Sequence, residues 1–490
     1  MKGLRFLLIV GVFSLCVSGC TKDDGINVTL QNEINEFVWF AMNDYYFWVD
    51  EVEDLSLEKY PTYNALYTFL NGYSSSESLF YDLTVEKDRF SWFVEDYEEL
   101  EASFQGITKS FGFEYRLIGT DDSNNVFGFI KYVVPTGPAD QKGLVRGDIF
   151  TAVNGTSLTR DNFHALLSRD QYALTLGEIK DGKVSDTQET VELVSIELTE
   201  NPIHMAKTLD VDGVKVGYLV YNQFVNNRSY HQEMNQVFGE FQSNGISDLV
   251  LDLRYNPGGA VLTSQLLASL IYSKGRTSDV FAAIEYNQEI TDILVAGGSD
   301  LNYYFIDKLD DVGSFNRLDL NRLFILTSGN TASASELIIS GLDPYMDVTL
   351  IGTKTVGKNL GSVTIYDSPN YQKTPTSGST VNHTNPNHKN ALQPIISRIT
   401  NIQNIDYTDG FSPNIEVDEV NYLEDLKPLG DPSEPLLAEA LAIITGVART
   451  ERVPDTGMKV LFDSESLQKH TNTILLDQLE ITRTSAERVF

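Results

Sequence analysis

The hydrophobic positions between residues 34 and 105 recur at helical spacing. The first set falls at i, i+4, i+7 and i+11, so one face of a helix beginning near Ile34 is apolar. Two more helices are predicted, over residues 62–70, where Asn71-Gly72 ends the pattern, and over residues 94–104. The pattern therefore predicts a small helical domain over residues 34–105. The apolar set of the first helix is Val38, Met42, Tyr45 and Val49.

Strand patterns separated by turn residues take over at residues 106–200. A strand is predicted to open at Phe111-Gly112-Phe113 and to be continued by residues 126–134. Residues 147–155, Gly-Asp-Ile-Phe-Thr-Ala-Val-Asn-Gly, form a strand that ends in a turn. Short helices are expected after Gly137-Pro138 and over residues 162–167. The region is therefore mainly β.

Strands and helices alternate between residues 201 and 446, which is typical of an α/β domain with a largely parallel sheet. Residues 275–321 are expected to be loop-rich, with a few strand-like pieces, and to rim a cleft. Residues 447–490 show no motif, and their role is left unknown. The predicted strands cover residues 216–221, 249–253, 323–326 and 348–352, and the predicted helices cover residues 229–243, 261–272, 334–342 and 435–444.

Candidate chemistry lies where one of these strands leads into a helix. Residues 327–336 read Thr-Ser-Gly-Asn-Thr-Ala-Ser-Ala-Ser-Glu. A hydroxyl at a helix N-terminus lies beside unpaired N–H groups that favour negative charge. Lys358, in a glycine-flanked loop after the next strand, can return to that hydroxyl. The residues alone leave Thr331, Ser333 and Ser335 open as the reacting group.

The segment Thr-Ala-Ser-Ala-Ser-Glu, followed by Lys-Thr-Val-Gly-Lys at residues 354–358, resembles the active-site pair of the C-terminal processing peptidases. These are serine proteases with a Ser–Lys dyad. The resemblance implies that Ser333 is the nucleophile and that Lys358, 25 residues later (358 − 333), is the general base. Lys358 would have to be neutral, which burial away from carboxylates would achieve by lowering its pKa.

Residues 252–259, Asp-Leu-Arg-Tyr-Asn-Pro-Gly-Gly, resemble the segment that supplies part of the oxyanion hole in this family. The backbone N–H groups of Gly259 and Ala334 are the implied donors. One position departs from the family pattern, because Ser362 stands where a glutamine usually orients the lysine. A serine side chain is shorter, so Glu336 is a second candidate orienter; its alternative role is a helix first-turn carboxylate.

Residues 106–200 resemble a PDZ domain of the circularly permuted kind that these peptidases carry. The resemblance implies that Phe111, Gly112 and Phe113 bind a substrate by strand addition and hold its C-terminal carboxylate. The alternative is a structural PDZ domain that no longer binds. The fold expected from the resemblance is multidomain α/β, with a crotonase-like peptidase core (201–446), the inserted PDZ domain (106–200) and the N-terminal helical domain (34–105).

The N-terminus carries the signs of export. Lys2 and Arg5 give the chain a positive start, and the apolar run over residues 4–17 is too short to span a bilayer as a mature helix. Val17-Ser18-Gly19-Cys20 resembles a bacterial lipobox, which implies a signal peptide at 1–19, lipid on Cys20 and a tether at 20–33. The expected location is the bacterial cell envelope, anchored by lipid to the membrane, most simply the outer membrane with a periplasmic or surface face.

The composition limits the classes of partner and cofactor that the chain is expected to bind. The 490 residues carry 36 Lys and Arg against 69 Asp and Glu, a net charge of −33, which argues against nucleic acid as a partner. The cysteines are Cys16 and Cys20, so the processed chain is expected to have no disulfide. His383 and His388 lie in a polar stretch without acidic or thiol partners, and a solvated loop is favoured over a metal site. No metal or cofactor is expected.

Three functions remain open. The first is an envelope lipoprotein endopeptidase that acts on proteins or peptides with free C-termini. The second is a catalytically weak or inactive scaffold that binds peptide tails. The third, a crotonase-type acyl-CoA enzyme, is disfavoured by the export signal, since that cofactor is cytoplasmic.

Overall fold

The computed structural model describes residues 28–119, 123–310, 312–374, 382–447, 456–464 and 474–475. The predicted signal peptide, Cys20 and most of the 447–490 segment lie outside these residues. None of the helices in the described ranges combines the length and the apolar character needed to cross a bilayer.

Residues 33–104 form the expected helical region. The first two helices begin where predicted, at polar caps: the side chain of Asn32 accepts from Ile34 N–H, and that of Thr62 from Ala65 N–H. Two short 3₁₀ helices follow the first helix. The elements are α1 (Glu33–Tyr45), α2 (Tyr63–Leu70), α3 (Ser76–Asp82), β1 (Trp92–Val94) and α4 (Tyr97–Phe104), with the 3₁₀ turns Val49–Glu51 and Glu53–Leu55.

The third predicted helix is wrong at its start, and α3 was not predicted. The side chain of Asp96 caps α4 by accepting from Glu98 N–H, so the helix begins at Tyr97 rather than at Val94. Residues 92–94 pair instead with residues 391–393 as an antiparallel strand. A distant strand partner therefore overrides the local helical pattern.

Residues 107–199 are mainly β, as predicted. The sheet order is β25-β3-β4-β5-β7-β8, so the strand next to β3 comes from the C-terminal segment. The elements here are β2 (Ile107–Ser110), β3 (Phe113–Gly119), β4 (Phe127–Val133), α5 (Pro138–Gln141), β5 (Ile149–Val153), β6 (Thr156–Ser157), α6 (Phe163–Leu167), β7 (Gln171–Lys180), β8 (Lys183–Val194) and β9 (Ile196–Thr199).

The core is built on a six-stranded sheet with the order β10-β11-β12-β18-β19-β24. Every pair after the first, antiparallel one is parallel, which confirms the α/β prediction. The elements of this part of the chain are β10 (Ile203–Val211), β11 (Val214–Tyr221), α7 (Arg228–Asn244), β12 (Asp248–Asp252), β13 (Gly259–Ala260), α8 (Val261–Ile271), β14 (Val280–Tyr286), α9 (Gln288–Gly297), β15 (Asn302–Tyr304), β16 (Lys308–Leu309), β17 (Gly313–Ser314), β18 (Arg322–Thr327), α10 (Ala334–Leu342), β19 (Asp347–Gly352), β20 (Leu360–Ser362), β21 (Ile365–Tyr366), β22 (Ala391–Gln393), β23 (Ile395–Thr400), β24 (Ile415–Glu416) and α11 (Pro435–Thr445), with a 3₁₀ stretch at Glu419–Asp425. Strands β13, β20, β23, β14 and β15 belong to a second six-stranded sheet, β21 and β22 pair with each other and β22 also with β1, and β16 pairs with β17.

The region 275–321 is more regular than predicted. It contains the seven-residue strand β14 and the ten-residue helix α9, which begins where the Asn287 side chain accepts from Ile290 N–H. β14 pairs with β23, more than a hundred residues later, so its partner was not visible locally. The loop-rich prediction was wrong for residues 280–297.

The C-terminal segment adds two strands to sheets formed by earlier residues. β25 (Lys459–Asp463) pairs antiparallel with β3, and β26 (Ile474–Leu475) pairs in parallel with both β13 and β20. The segment for which the sequence offered no role therefore joins two domains of the molecule.

Buried ion pairs also hold the 107–199 region against the core. Arg146 Nη2 lies 2.8 Å from Glu419 Oε2, and Arg116 Nη1 lies 3.0 Å from Glu419 Oε1. Arg254, beside β12, donates to Glu434 Oε2 at 2.9 Å. Arg116, Arg254, Glu419 and Glu434 are buried and the Arg146 side chain is 6% exposed, so each charge depends on its partner for compensation.

Candidate active site

The loop between β18 and α10 carries the three competing hydroxyls, and their hydrogen bonds distinguish them. Thr331 Oγ1 donates to Leu253 O at 2.8 Å, and Ser335 Oγ donates to Asn256 O at 3.0 Å. Ser333 Oγ is buried and, among the described residues, has no hydrogen-bond partner. Two hydroxyls hold the loop in place, and the third is left for chemistry.

Ser333 occupies a strained backbone position immediately before α10. Its φ is 64° and its ψ is −118°, a region that residues with a side chain rarely adopt. Such strain persists where surrounding contacts enforce it, and it is common at functional sites. The position puts the hydroxyl at the N-terminal end of α10, beside the Ala334 N–H.

The Gly258-Gly259 turn packs directly against Ser333. A Cβ at Gly258 would lie 2.8 Å from Ser333 Oγ, and the φ values of the two glycines are 114° and 136°. Only glycine adopts these positive φ values readily and, having no Cβ, lets Ser333 Oγ come this close. The turn therefore brings Gly258 against Ser333, and the role of Gly259 N–H as an oxyanion-hole donor stays a prediction.

Asn256 fixes this turn, although the sequence reasoning gave it no role. Its Oδ1 accepts from Gly258 N–H at 2.9 Å, and its Nδ2 donates to Tyr221 O at 2.7 Å. Its backbone O accepts from Ala332 N–H at 3.2 Å. The only available signal was its place in the motif at residues 252–259.

Lys358 is fully buried. Burial lowers the pKa of its amine to about 7, against a smaller raising effect of the charges on Asp88 and Glu336. Its Nζ lies 4.7 Å from the centre of the Phe90 ring. Ser333 Oγ has no hydrogen-bond partner in the described chain. The side chains of Ser333 and Lys358 are therefore not hydrogen bonded to each other in this structure.

Asp88 and Phe90 are further site residues that the sequence did not assign. Asp88 Oδ1 accepts from Phe90 N–H and from Ser91 N–H, both at 2.9 Å. These bonds form a tight turn that aims the Phe90 ring at the lysine.

Glu336 ties the serine loop to the lysine loop. Its Oε2 accepts from Ser333 N–H at 2.9 Å and from Lys358 N–H at 2.8 Å. Its Oε1 accepts from Gly357 N–H at 2.7 Å and from Thr355 Oγ1 at 2.5 Å. Burial raises the pKa of this carboxyl, and the hydrogen bonds oppose the rise. Glu336 thus holds backbone positions of both residues rather than the lysine amine alone.

Ser362 lies in β20, and its hydroxyl accepts from Gln393 Nε2 at 3.3 Å. Gln393 is buried in β22, and its Oε1 accepts from Thr364 Oγ1 at 2.8 Å. A glutamine therefore does lie next to the position where the family motif has one, but it comes from another strand. Because Gln393 is far from Ser362 in the sequence, the motif around Lys358 does not reveal this contact.

A cavity of about 940 Å³ opens beside the Gly258 turn. It lies between the helical region, the 107–199 region and the core, and its lining includes neither Ser333 nor Lys358. Its wall includes Phe93, Tyr132, Val134, Leu198 and Pro257.

The predicted peptide-binding loop lies at the start of β3. Gly112 N–H donates to Ser110 Oγ at 3.0 Å, and Gly112 O accepts from Val134 N–H at 2.8 Å. The Phe111 ring lies 4.2 Å from the Tyr172 ring, and Phe113 is buried. The loop is rigid, and the N–H of Gly112 already has an internal partner.

The histidines lie elsewhere. His388 Nε2 lies 3.0 Å from Asp367 Oδ2, and His231 Nε2 lies 2.8 Å from Thr263 Oγ1. His470 lies outside the described residues. Within the ranges that the structure describes, no group of three or more His, Cys, Asp or Glu side chains is arranged to hold a metal ion.

Three family models match the chain. Residues 215–395 match peptidase family S41, residues 33–92 match the peptidase S41 N-terminal domain, and residues 129–173 match a PDZ domain. The matches follow the same order as the regions described above.

Curated relatives agree with these models. A carboxyl-terminal-processing protease of Picosynechococcus sp. is 26% identical over 275 residues, 54% of this chain and 58% of that protein. A protein of Staphylococcus aureus (strain N315), described as a CtpA-like serine protease, is 25% identical over 228 residues, 46% of this chain and 41% of that protein. The alignments thus span 58% and 41% of the relatives' own lengths.

A solved structure shares the architecture over most of the chain. It is a protein of Bacteroides fragilis NCTC 9343 assigned as an S41 protease, 26% identical in sequence, with a TM-score of 0.67. The superposition covers 84% of this chain and 98% of that one.

Proposed function

We propose, from the premise that the chain belongs to peptidase family S41, that it is a serine endopeptidase with Ser333 as nucleophile and Lys358 as general base. The observation that carries the proposal is the buried, unpartnered hydroxyl of Ser333 at a strained turn, tied through Glu336 to a buried lysine. Ser340 Oγ is also buried without a partner in the described chain, so Ser333 is distinguished by its strained turn, its contact with Gly258 and its link through Glu336 to Lys358.

The reaction follows from these positions. The neutral amine of Lys358 takes the proton of Ser333 Oγ as that oxygen attacks the carbonyl carbon of a peptide bond. The N–H groups of Gly259 and Ala334 receive the negative charge that forms on the carbonyl oxygen, helped by the dipole of α10. The protonated Lys358 gives its proton to the leaving amine, and water then hydrolyses the acyl-enzyme. Lys358 Nζ must move within hydrogen-bond distance of Ser333 Oγ for the first step.

The substrates we propose are proteins or peptides with free C-termini. An extended chain could enter the cavity beside Pro257, and the edge of β3 that does not pair with β4 is suited to strand addition once β25 leaves it. The catalytic step requires no metal and no cofactor.

A fluorophosphonate probe tests the nucleophile. The purified chain is expected to be labelled covalently, and the Ser333→Ala chain is expected to lose all labelling because no other serine is activated. Ser340→Ala is the matched control, since Ser340 is another serine of α10 whose buried hydroxyl has no partner in the described chain, and it should label fully.

Absence of labelling in the unaltered chain would favour the second candidate function, a scaffold that binds peptide tails without cutting them. That candidate draws on the separation of Ser333 Oγ from any hydrogen-bond partner in this structure. Labelling of both the unaltered chain and Ser333→Ala would instead place the nucleophile elsewhere.

We also propose that the protein is a lipoprotein of the bacterial cell envelope, anchored in the membrane through Cys20. The support is the lipobox-like Val17-Ser18-Gly19-Cys20 after a charged start and an apolar run. Cells that make the chain in labelled palmitate are expected to yield a labelled protein, and Cys20→Ser should abolish the label. Cys16→Ser is the control and should keep it, because Cys16 lies within the predicted signal peptide.

A further inference from the structure

The groove of the PDZ region is already filled by a strand of the same chain. β25 pairs antiparallel with β3, with Lys459 opposite Gly119 and Asp463 opposite Arg116. β3 directly follows the Phe111-Gly112-Phe113 loop. The edge of β3 that does not pair with β4 is therefore the one predicted to receive a peptide. The added strand satisfies that edge just as a bound peptide would.

Apolar side chains of the strand reach the far wall of the groove. The Phe462 ring lies 4.9 Å from the ring of Phe163, which belongs to α6. Leu461 packs so closely on β3 that a Cβ at Gly119 would lie 2.4 Å from its Cδ1. The strand therefore lies between β3 and α6 with its side chains inserted, and it is more than an edge contact.

Polar contacts give this occupancy its selectivity. Asp463 Oδ2 accepts from Arg116 Nε at 2.7 Å, and Asp463 Oδ1 accepts from Lys131 Nζ at 2.7 Å. Ser464 Oγ accepts from Tyr115 N–H at 2.9 Å and donates to Glu114 Oε2. Arg116 and Lys131 are buried on the face of the β3–β4 sheet that is turned to the core, where Glu419 also pairs with Arg116. Together these contacts favour a strand with an acidic residue followed by a hydroxyl next to β3.

The same segment also reaches the candidate active site. Ile474 and Leu475 pair in parallel with Gly259 and Ala260 on one side. On the other side they pair with residues 361–362 of β20, which follow Lys358. The backbone of residues 474–475 therefore lies between the strand that begins at Gly259 and the strand that follows Lys358.

We propose that the C-terminal segment of this chain is the resident ligand of its own PDZ groove, bound through Phe462, Asp463 and Ser464, and that it covers the cleft until a competing peptide displaces it. The groove accordingly selects extended peptides with an aromatic residue, an aspartate and a serine in succession, at internal positions as well as near a C-terminus. The occupancy stands independently of the peptidase activity, whereas the covering of the cleft rests on the proposed function.

The test uses the full chain and a fluorescein-labelled peptide with the sequence of residues 457–466. The tethered strand competes at an effective concentration of roughly millimolar, so the unaltered chain should bind the peptide weakly in fluorescence anisotropy. The Phe462→Ala/Asp463→Ala chain should bind it at least about 10-fold more tightly. A peptide with asparagine in place of the aspartate should bind that chain at least about 10-fold more weakly, because a charge-assisted pair is lost.

Val460→Thr is the matched control, because Val460 belongs to the same strand but is 43% exposed, and it should bind the peptide as weakly as the unaltered chain. Hydrogen exchange separates release of the strand from misfolding: amides of β3 should exchange faster in the double variant, while those of α10 should not change. Equal peptide affinity in the unaltered chain and the double variant would overturn the proposal.

Hydrolysis of an unstructured protein substrate tests the second half. The double variant should cleave it several-fold faster than the unaltered chain. If the peptide bound as expected but hydrolysis were unchanged, the proposal that the segment covers the cleft would be overturned. The proposal that the strand occupies the PDZ groove would stand. Absence of hydrolysis in every chain, with the expected binding, would instead count against the peptidase assignment.

Discussion

Replacing Lys358 with methionine is expected to lower kcat/KM for peptide hydrolysis by roughly 10³- to 10⁴-fold, the contribution usual for a general base. Methionine fills the same buried space without a basic nitrogen. Ser333 would keep its position, since its N–H bond to Glu336 does not involve the lysine side chain. The loss should therefore appear in kcat, with KM little changed.

The same substitution is expected to stabilise the fold. Burial lowers the pKa of Lys358 to about 7 from 10.5, so the folded chain disfavours the ammonium that the unfolded chain carries. Below pH 7 that difference is worth up to about 5 kcal/mol. Between about pH 7 and 10.5 only the unfolded chain holds the proton, so the free energy of unfolding of the unaltered chain rises with pH. Lys358→Met should lack that rise and be the more stable chain at pH 6.

Kinetics and urea unfolding measured from pH 5.5 to 9 check both parts. The kcat/KM of the unaltered chain should increase with pH through an apparent pKa of about 7, as the amine becomes neutral. In Asp88→Asn the rise of kcat/KM should occur at lower pH, because the Asp88 charge raises the lysine pKa. Lys354→Met, an exposed lysine of the same loop, is the matched control and should change neither quantity. A Lys358→Met chain that stays active, or that unfolds more easily at pH 6, would contradict the assignment.

The centre of the site could be predicted because its parts are short local motifs. Residues 331–336, 354–358 and 252–259 each carry their own pattern, and the α/β alternation around them predicts that they meet at one edge of a parallel sheet. The choice of Ser333 over Thr331 and Ser335 needed either the family resemblance or the structure. Only coordinates show that Leu253 O and Asn256 O engage the other two hydroxyls.

The remaining parts depend on pairings across long stretches of sequence. Arg116 and Asp463 are 347 positions apart, and nothing near either residue specifies the other. The contact of Phe90 with Lys358 and the approach of Gln393 to Ser362 likewise come from tertiary packing. An edge strand such as β25 has an ordinary β pattern, and which sheet it joins is decided by side chains on both partners.

Glu336→Gln is expected to lower kcat/KM by at least about 10²-fold and to destabilise the fold by about 3 kcal/mol. The two carboxylate oxygens receive hydrogen bonds from three backbone N–H groups and from the Thr355 hydroxyl. The three backbone N–H donors favour the carboxylate form and oppose the rise in the carboxyl pKa that burial causes. An amide keeps the shape but offers one oxygen and adds two donors, so buried N–H groups lose their partner at about 1–3 kcal/mol each.

The activity effect separates a positioning role from a merely structural one. Because Glu336 holds both Ser333 N–H and Lys358 N–H on one oxygen, its loss should let the nucleophile and the base drift apart, and kcat should fall more than KM rises. Its charge also raises the lysine pKa. The residual activity of Glu336→Gln should therefore increase with pH through a lower apparent pKa than in the unaltered chain, which a general loss of stability would not cause.

Thr355→Val is the matched control for this experiment. It removes the one side-chain donor to Glu336 and leaves the three backbone bonds, so kcat/KM should fall by no more than about 10-fold. Stopped assays across pH 5.5–9, with thermal unfolding of each chain, supply both readouts. If Glu336→Gln kept kcat/KM within about 3-fold of the unaltered chain, the serine and lysine loops would have to be held together by other contacts. The strained turn at Ser333 would then owe its geometry to the Asn256 network alone.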